Sequence, residues 1–296
     1  MKNIKLGFIA IAIITLFASC EDMFRGSILE VELPPHESQL APYAFFKDTD
    51  SVLTVMVGKS VGILDTINPD VVYGATVELY RNGSLAHTFT FVDSVKGYQV
   101  DLGQPFNPTV GDEYELKVSA PGFTPTSAIQ IIPSTVLIDT LEYDAQGSVN
   151  QFGDPLDVYK LTFTDPAGIS NYYEITGYVV VKYRNFFDTT IIQEYSYSVD
   201  FESRDPNFEN GTLSDVNFDG QRYTLRLETY PNFWGGDVTG TLYFRSTTPE
   251  YATFISSLNN YWRAKDNPFS EPVLLYSNMS GGLGAFGIFV TDTKAL

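Results

Sequence analysis

A single cysteine, Cys20, and two histidines, His36 and His87, are all that this 296-residue chain holds of the side chains that most often bind transition metals or pair as nucleophile and base. One thiol allows no internal disulfide. Two histidines 51 positions apart supply neither a zinc site nor a histidine-driven triad. Basic residues are scarce as well, 18 Lys and Arg against 36 Asp and Glu. Such a surface repels phosphate backbones and anionic headgroups, which argues against nucleic acid as a partner. The chain has no internal repeat, no low-complexity tail and no apolar run long enough to span a bilayer.

What is present begins with Leu6 to Phe17, an apolar run behind Lys2 and Lys5 with the length of a secretory signal core. Ala18 and Ser19 ahead of Cys20 complete a lipobox, which predicts a signal peptide over 1–19 and diacylglycerol with palmitate-type acylation on Cys20. The alternative is an ordinary signal peptide cut nearby, with Cys20 a free thiol. Each buried acyl methylene contributes about 0.8 kcal/mol, so two or three chains anchor a domain stably to a membrane. Residues 20–27 then read as lipid anchor and tether. The processed chain carries 16 basic against 36 acidic residues, a net charge of −20.

Twenty-two Phe, 19 Tyr and frequent Val and Thr favour strands. The expected fold is mainly β: an N-terminal Ig- or transthyretin-like β-sandwich over 28–134, then a second antiparallel β domain over 135–296 with one packed helix. In the first part, Ile28–Leu33, Val52–Val57 and Glu113–Val118 read as strands. Thr76–Tyr80 and Leu85–Phe91 flank Asn82-Gly83, a two-residue hairpin turn. In the second, strands are expected near 136–143, 158–163, 172–183 and 190–199, with Asp219-Gly220 turning a hairpin between 216–218 and 223–227. A helix is expected near 249–264. Thr248-Pro249-Glu250 supplies its start, and Tyr251, Phe254, Ile255, Leu258, Tyr261 and Trp262 form an apolar stripe that reads as core. Strands at 273–276 and 284–290 close the chain.

Four stretches look chemical. Gly58-Lys59-Ser60-Val61-Gly62 matches the G-x-S-x-G of hydrolases, but no helical period follows it, and a strand end leading into a loop accounts for it. Gly282-Leu283-Gly284-Ala285-Phe286-Gly287 matches the dinucleotide fingerprint, yet leads into Ile288-Phe289-Val290 near the C-terminus, where close packing of a last strand is the better account. Asp215-Val216-Asn217-Phe218-Asp219-Gly220 repeats the opening of a calcium loop. Arg226 stands where an EF-hand closes with an acid, so a looser site of Asp215, Asn217 and Asp219, drawing on Asp205 or Glu209, competes with a plain hairpin turn. Finally, Trp234 within Tyr230-Pro231-Asn232-Phe233-Trp234-Gly235-Gly236 is a candidate ligand-binding aromatic. None of these assembles a catalytic set, so the chain reads as non-enzymatic, with no resident cofactor except calcium.

Short Asp-Ser/Thr-apolar stretches, such as Asp93-Ser94-Val95 and Asp139-Thr140-Leu141, resemble the O-glycan attachment sites of exported Bacteroidetes proteins. Larger segments carry a family resemblance: Val57–Leu64, Ala75–Tyr80 with Asn82-Gly83, Gly111–Gly122, Asn267–Pro272 and Ser277–Gly287. Together they resemble the Bacteroidetes outer-membrane lipoproteins catalogued as a domain of unknown function and often encoded beside TonB-dependent receptors. Glu21-Asp22 resembles the acidic signal that exports such lipoproteins to the cell surface. The resemblance implies a scaffold without assigned catalytic residues, acting as an accessory or ligand-capture subunit of a TonB-dependent transporter in the outer membrane. A surface carbohydrate-binding or adhesive module and a carboxylate-based hydrolase are the rival expectations, with a glycan or peptide as ligand.

Overall fold

The structure, a computed structural model, describes residues 36–62, 71–184, 192–231, 237–265, 267, 269–271 and 273–296. The expected signal peptide, the tether at 20–27, the strand at 28–33, and Cys20, Glu21, Asp22 and Trp234 lie outside the described residues. Residues 38–296 form one compact unit. Its elements are β1 (Leu40–Lys47), β2 (Val52–Lys59), β3 (Thr76–Arg81), β4 (Ser84–Thr88), β5 (Thr90–Val92), β6 (Gly97–Asp101), β7 (Glu113–Ser119), β8 (Thr126–Ile131), β9 (Ile138–Val149) and β10 (Pro155–Thr164). They continue with β11 (Tyr172–Arg184), β12 (Ile192–Val199), β13 (Phe208–Glu209), β14 (Thr212–Ser214), β15 (Arg222–Thr229), β16 (Asp237–Thr247), helix α1 (Pro249–Lys265) and β17 (Ala285–Ala295).

Among the described residues the chain is mainly β with one helix, as its composition implies. Its backbone is a ten-stranded sheet in the order β13-β14-β11-β16-β17-β1-β2-β6-β5, with β12 added on β11. Pairing is antiparallel except at β1 and β17, which run parallel with Tyr43 opposite Ala285. Two smaller antiparallel sheets, β4-β3-β7-β8 and β15-β10-β9, complete the fold.

Register shows how the layers stack. Directly paired residues share a face, and Ser246 pairs with Val290 and Phe244 with Asp292. Leu242, Phe244, Ile288 and Val290 therefore line one face of the large sheet. The four-stranded sheet covers part of it through Val77, Leu79, Leu116 and Val118, which cluster with Phe46, Leu53, Val55 and Ile288. The three-stranded sheet covers the rest through Leu161, Phe163, Leu225 and Leu227, packed on Tyr173, Ile175, Leu242 and Phe244. Two cores therefore lie on that face, with the long sheet beneath both, and the first takes in Met279, Phe286, Ile288 and Val290 from the end of the chain together with residues before 134. The crossing is pinned where the Ile138 N–H donates to Asp292 Oδ2 at 2.8 Å.

Helix α1 covers the opposite face. Tyr251 lies 5.3 Å from Phe45 and 5.2 Å from Phe289, and Phe254 lies 5.1 Å from Phe45, centroid to centroid. Strands β1 and β17 are consequently covered on both sides, which explains runs such as Ala44-Phe45-Phe46 and Ile288-Phe289-Val290 without polar alternation. The helix corrects one expectation: its apolar stripe is core only in the first turns. Tyr251, Ala252 and Phe254 are buried, whereas Trp262, on the same face two turns further on, is 54% exposed.

Two further expectations change. Residues 216–218 form turns rather than a strand, and β15 pairs with β10, so Asp219-Gly220 turns no hairpin. Residues 273–279 form no strand among those described. By contrast, Asn82-Gly83 does join β3 to β4, with φ of 49° and 77° as a type I′ turn requires.

Candidate functional site

Two neighbouring features stand out, a polar cleft and a carboxylate cluster, and the turns at 215–220 contribute to both. The cleft, about 660 Å³, lies between α1 and the hairpin of β13 and β14. That hairpin turns at Asn210-Gly211, with φ of 53° and 82°. Asn210 also holds the helix: its carbonyl accepts from Asn259 Nδ2 at 3.5 Å and its Oδ1 from Arg263 Nη2 at 2.5 Å.

The helix presents Thr253, Ser256, Ser257 and Asn260 to the cleft, a polar stripe at helical spacing opposite the docked aromatics. Asn207, Glu209 and Asn217 face it from the hairpin side. Asn217, expected as a calcium ligand, instead donates through Nδ2 to Asn207 Oδ1 at 2.5 Å. Asn207 Nδ2 in turn donates to the Tyr223 hydroxyl at 3.2 Å, and that hydroxyl donates to Asp205. Asp205 is therefore engaged in orienting the amides of the cleft wall. Leu213, Ala252 and the Tyr172 ring supply the apolar part of the lining. The result is a concave surface of amides and hydroxyls over an apolar floor, with Glu209 the one acid among the described residues of its lining.

Behind the wall, Asp215 and Asp219 do converge, and their third member is Asp165, 50 residues upstream of Asp215. One oxygen from each lies within 4.8 Å of the others. Two loops are laced together by these carboxylates. Asp165 accepts from the Gly220 N–H at 2.9 Å and from the Tyr173 hydroxyl, Asp215 from the Asn171 N–H at 2.7 Å, and Asp219 from the Gly168 N–H at 2.7 Å. Gly220 has φ of +69°, and a Cβ there would meet Ala167 at 2.6 Å, so the close approach of the loops depends on glycine. Burial pushes the Asp215 carboxyl up; the Asn171 N–H opposes this, and the charges of Asp165 and Asp219 add to the rise. Burial and the bond to Asp165 likewise push the Tyr173 phenol up.

The other motifs are structural where they are described. Ser60 follows the end of β2, and its Oγ accepts the Gln39 N–H at 2.9 Å. Gly284 packs against β1, where a Cβ would fall 2.0 Å from the Pro42 carbonyl oxygen. Glu174 and Arg245, buried under α1, were not singled out from the sequence, since nothing in their local pattern marks two strand residues 71 apart as partners.

The comparison that decides the family is a family model described as a domain of unknown function (DUF4249), which matches residues 27–295. The chain belongs to this family. No curated protein matches the DUF4249 chain. Among solved structures, a biofilm associated protein (BSP domain) aligns with 10% identity and a TM-score of 0.17 over 91% of the chain. The chain spans 61% of that protein's length, and a likeness at this score carries no argument. Among the described residues no helix is long and apolar enough to cross a membrane.

Proposed function

We propose that this DUF4249 chain is a non-enzymatic Bacteroidetes outer-membrane lipoprotein that captures a glycan for a TonB-dependent transporter, held at the cell surface through acylated Cys20. The observation that carries the capture reading is the cleft between α1 and the β13–β14 hairpin. Its volume of about 660 Å³ suits a small ligand. Amides of Asn207, Asn217 and Asn260 and hydroxyls of Thr253 and Ser256 offer both donors and acceptors, which suits the alternating hydroxyls of a sugar.

Glycoside hydrolysis uses two carboxyl groups across the scissile bond, and Glu209 is the single acid among the described residues that line the cleft, which favours binding over cleavage. The lipobox and the acidic Glu21-Asp22 support the anchoring and the surface placement. A glycan array tests the capture reading: the wild-type chain retains a ligand that Asn217→Ala and Asn260→Ala variants release, and an array without any hit rejects it. Mass spectrometry of the N-terminal peptide tests the anchor, with an unmodified Cys20 thiol as the contrary result. Co-purification from solubilised outer membranes tests the transporter link, which repeated failure to recover a receptor would refute.

A further inference from the structure

The stretch from Asp215 to Gly220 admits two explanations from sequence, a hairpin turn or an ion loop, and the structure removes the first. β14 ends at Ser214 within the large sheet, β15 starts at Arg222 in the three-stranded sheet, and the residues between them run alongside the loop 165–171. There Asp165 and Asp215, each 3% exposed, stand with Asp219 in a cluster of three like charges. Among the described residues no Lys, Arg or His forms an ion pair with any of them. Backbone N–H groups orient these carboxylates but leave their mutual repulsion in place.

A separate observation points to what balances it. Asn171 is 5% exposed, and its Oδ1 is buried without a hydrogen-bond partner, an uncommon state for an amide oxygen. Asn171 is bound to the cluster at its backbone, where its N–H donates to Asp215 Oδ2 at 2.7 Å and its carbonyl accepts from the Asp215 N–H at 3.3 Å. Covalent geometry alone keeps Asn171 Oδ1 within about 7 Å of that carboxylate. A buried carbonyl-type oxygen left without a partner, on a residue bonded through its backbone to one of three converging carboxylates, matches the donors taken by a hard cation with flexible coordination.

We propose that Asp165, Asp215 and Asp219, with Asn171 Oδ1, bind one calcium ion. The ion clips the loop 165–171 to the turns 215–220. Because Val216 and Asn217 of those turns also line the cleft, occupancy fixes one cleft wall.

The test is calorimetric titration of calcium chloride into the full chain, stripped with chelator, beside an Asp215→Asn/Asp219→Asn variant. Asparagine oxygens still accept from the Asn171 and Gly168 N–H groups, so the variant is expected to fold. The wild type takes up one calcium per chain, and at a hundredfold excess over Kd its unfolding midpoint rises by about 5–10 °C. The variant loses at least tenfold in affinity and most of that rise. No heat and no shift in the wild type, an equal response in the variant, or an equal response to magnesium overturns the assignment. Terbium on the wild-type chain needs no variant: emission sensitised through Tyr173 and displaced by calcium is expected, and its absence counts against the site. No glycan enters these measurements, so their failure leaves the cleft reading untouched.

Discussion

Arg245 and Glu174 form a buried ion pair, Nη1 to Oε2 at 2.5 Å, between adjacent strands β16 and β11 beneath the first turn of α1. The Tyr251 hydroxyl donates to the other Glu174 oxygen at 2.9 Å, and burial pushes that phenol up, with the Glu174 charge adding to the rise. The Arg245 guanidinium lies over the Phe289 ring at 5.3 Å. Helix α1 is thus fixed to the sheet by a polar clamp as well as by its aromatic contacts. The clamp holds the helix whose other side lines the cleft.

Breaking this pair leaves a buried, uncompensated charge. Arg245→Met is expected to cost about 3–5 kcal/mol in chemical denaturation. Adding Glu174→Gln to it should recover a large part of the loss, since the remaining groups are neutral and Gln can still accept from Tyr251. Full additivity of the two changes would show that they do not act as a pair.

Gly284→Ala should cost about 2–4 kcal/mol. The position has φ of +112°, and the added methyl would fall 2.0 Å from the Pro42 carbonyl oxygen, on backbone that cannot turn aside. Since β17 is shared by the large sheet's two halves and packs in the first core, the loss should appear as one cooperative shift of the unfolding curve. A change within about 0.5 kcal/mol would contradict the close packing of β1 and β17.

Glu228 gives the pH dependence. Burial alone would raise its carboxyl; hydrogen bonds from Ser148 and Arg226 and the charges of Arg204 and Arg226 outweigh that and hold it below the usual range. A carboxyl lowered in the folded state adds stability above its unfolded pKa and loses it as pH falls through the folded value. Glu228→Gln is therefore expected to be about 1–3 kcal/mol less stable than wild type at pH 7. The gap should close below about pH 4. A gap that persists unchanged in acid would rule out this role for the charge.

Much of the fold is legible in the sequence, and the exceptions have physical causes. Asn82-Gly83 specifies its hairpin because both turn residues need positive φ, and Glu113–Val118 alternates because one face of β7 is wet. Asn210-Gly211 carries the same signal for the hairpin that walls the cleft, but its strands are too short to show a period. β1 escapes notice because Pro42 interrupts it and because α1 on one side and the core on the other remove any alternation. The polar stripe of α1 at Thr253, Ser256, Ser257 and Asn260 is visible at helical spacing once the cleft gives it meaning. Asp165 is not, since convergence of two loops distant in sequence leaves no local mark.

Amide hydrogen exchange of the full chain, with and without the oligosaccharide selected on the array, tests the capture reading most directly. The account predicts ligand protection confined to residues 206–217 and 252–260, the two walls of the cleft, and to Tyr172 of its apolar lining. Protection elsewhere with those segments unchanged, for instance around the exposed Trp262, would contradict it.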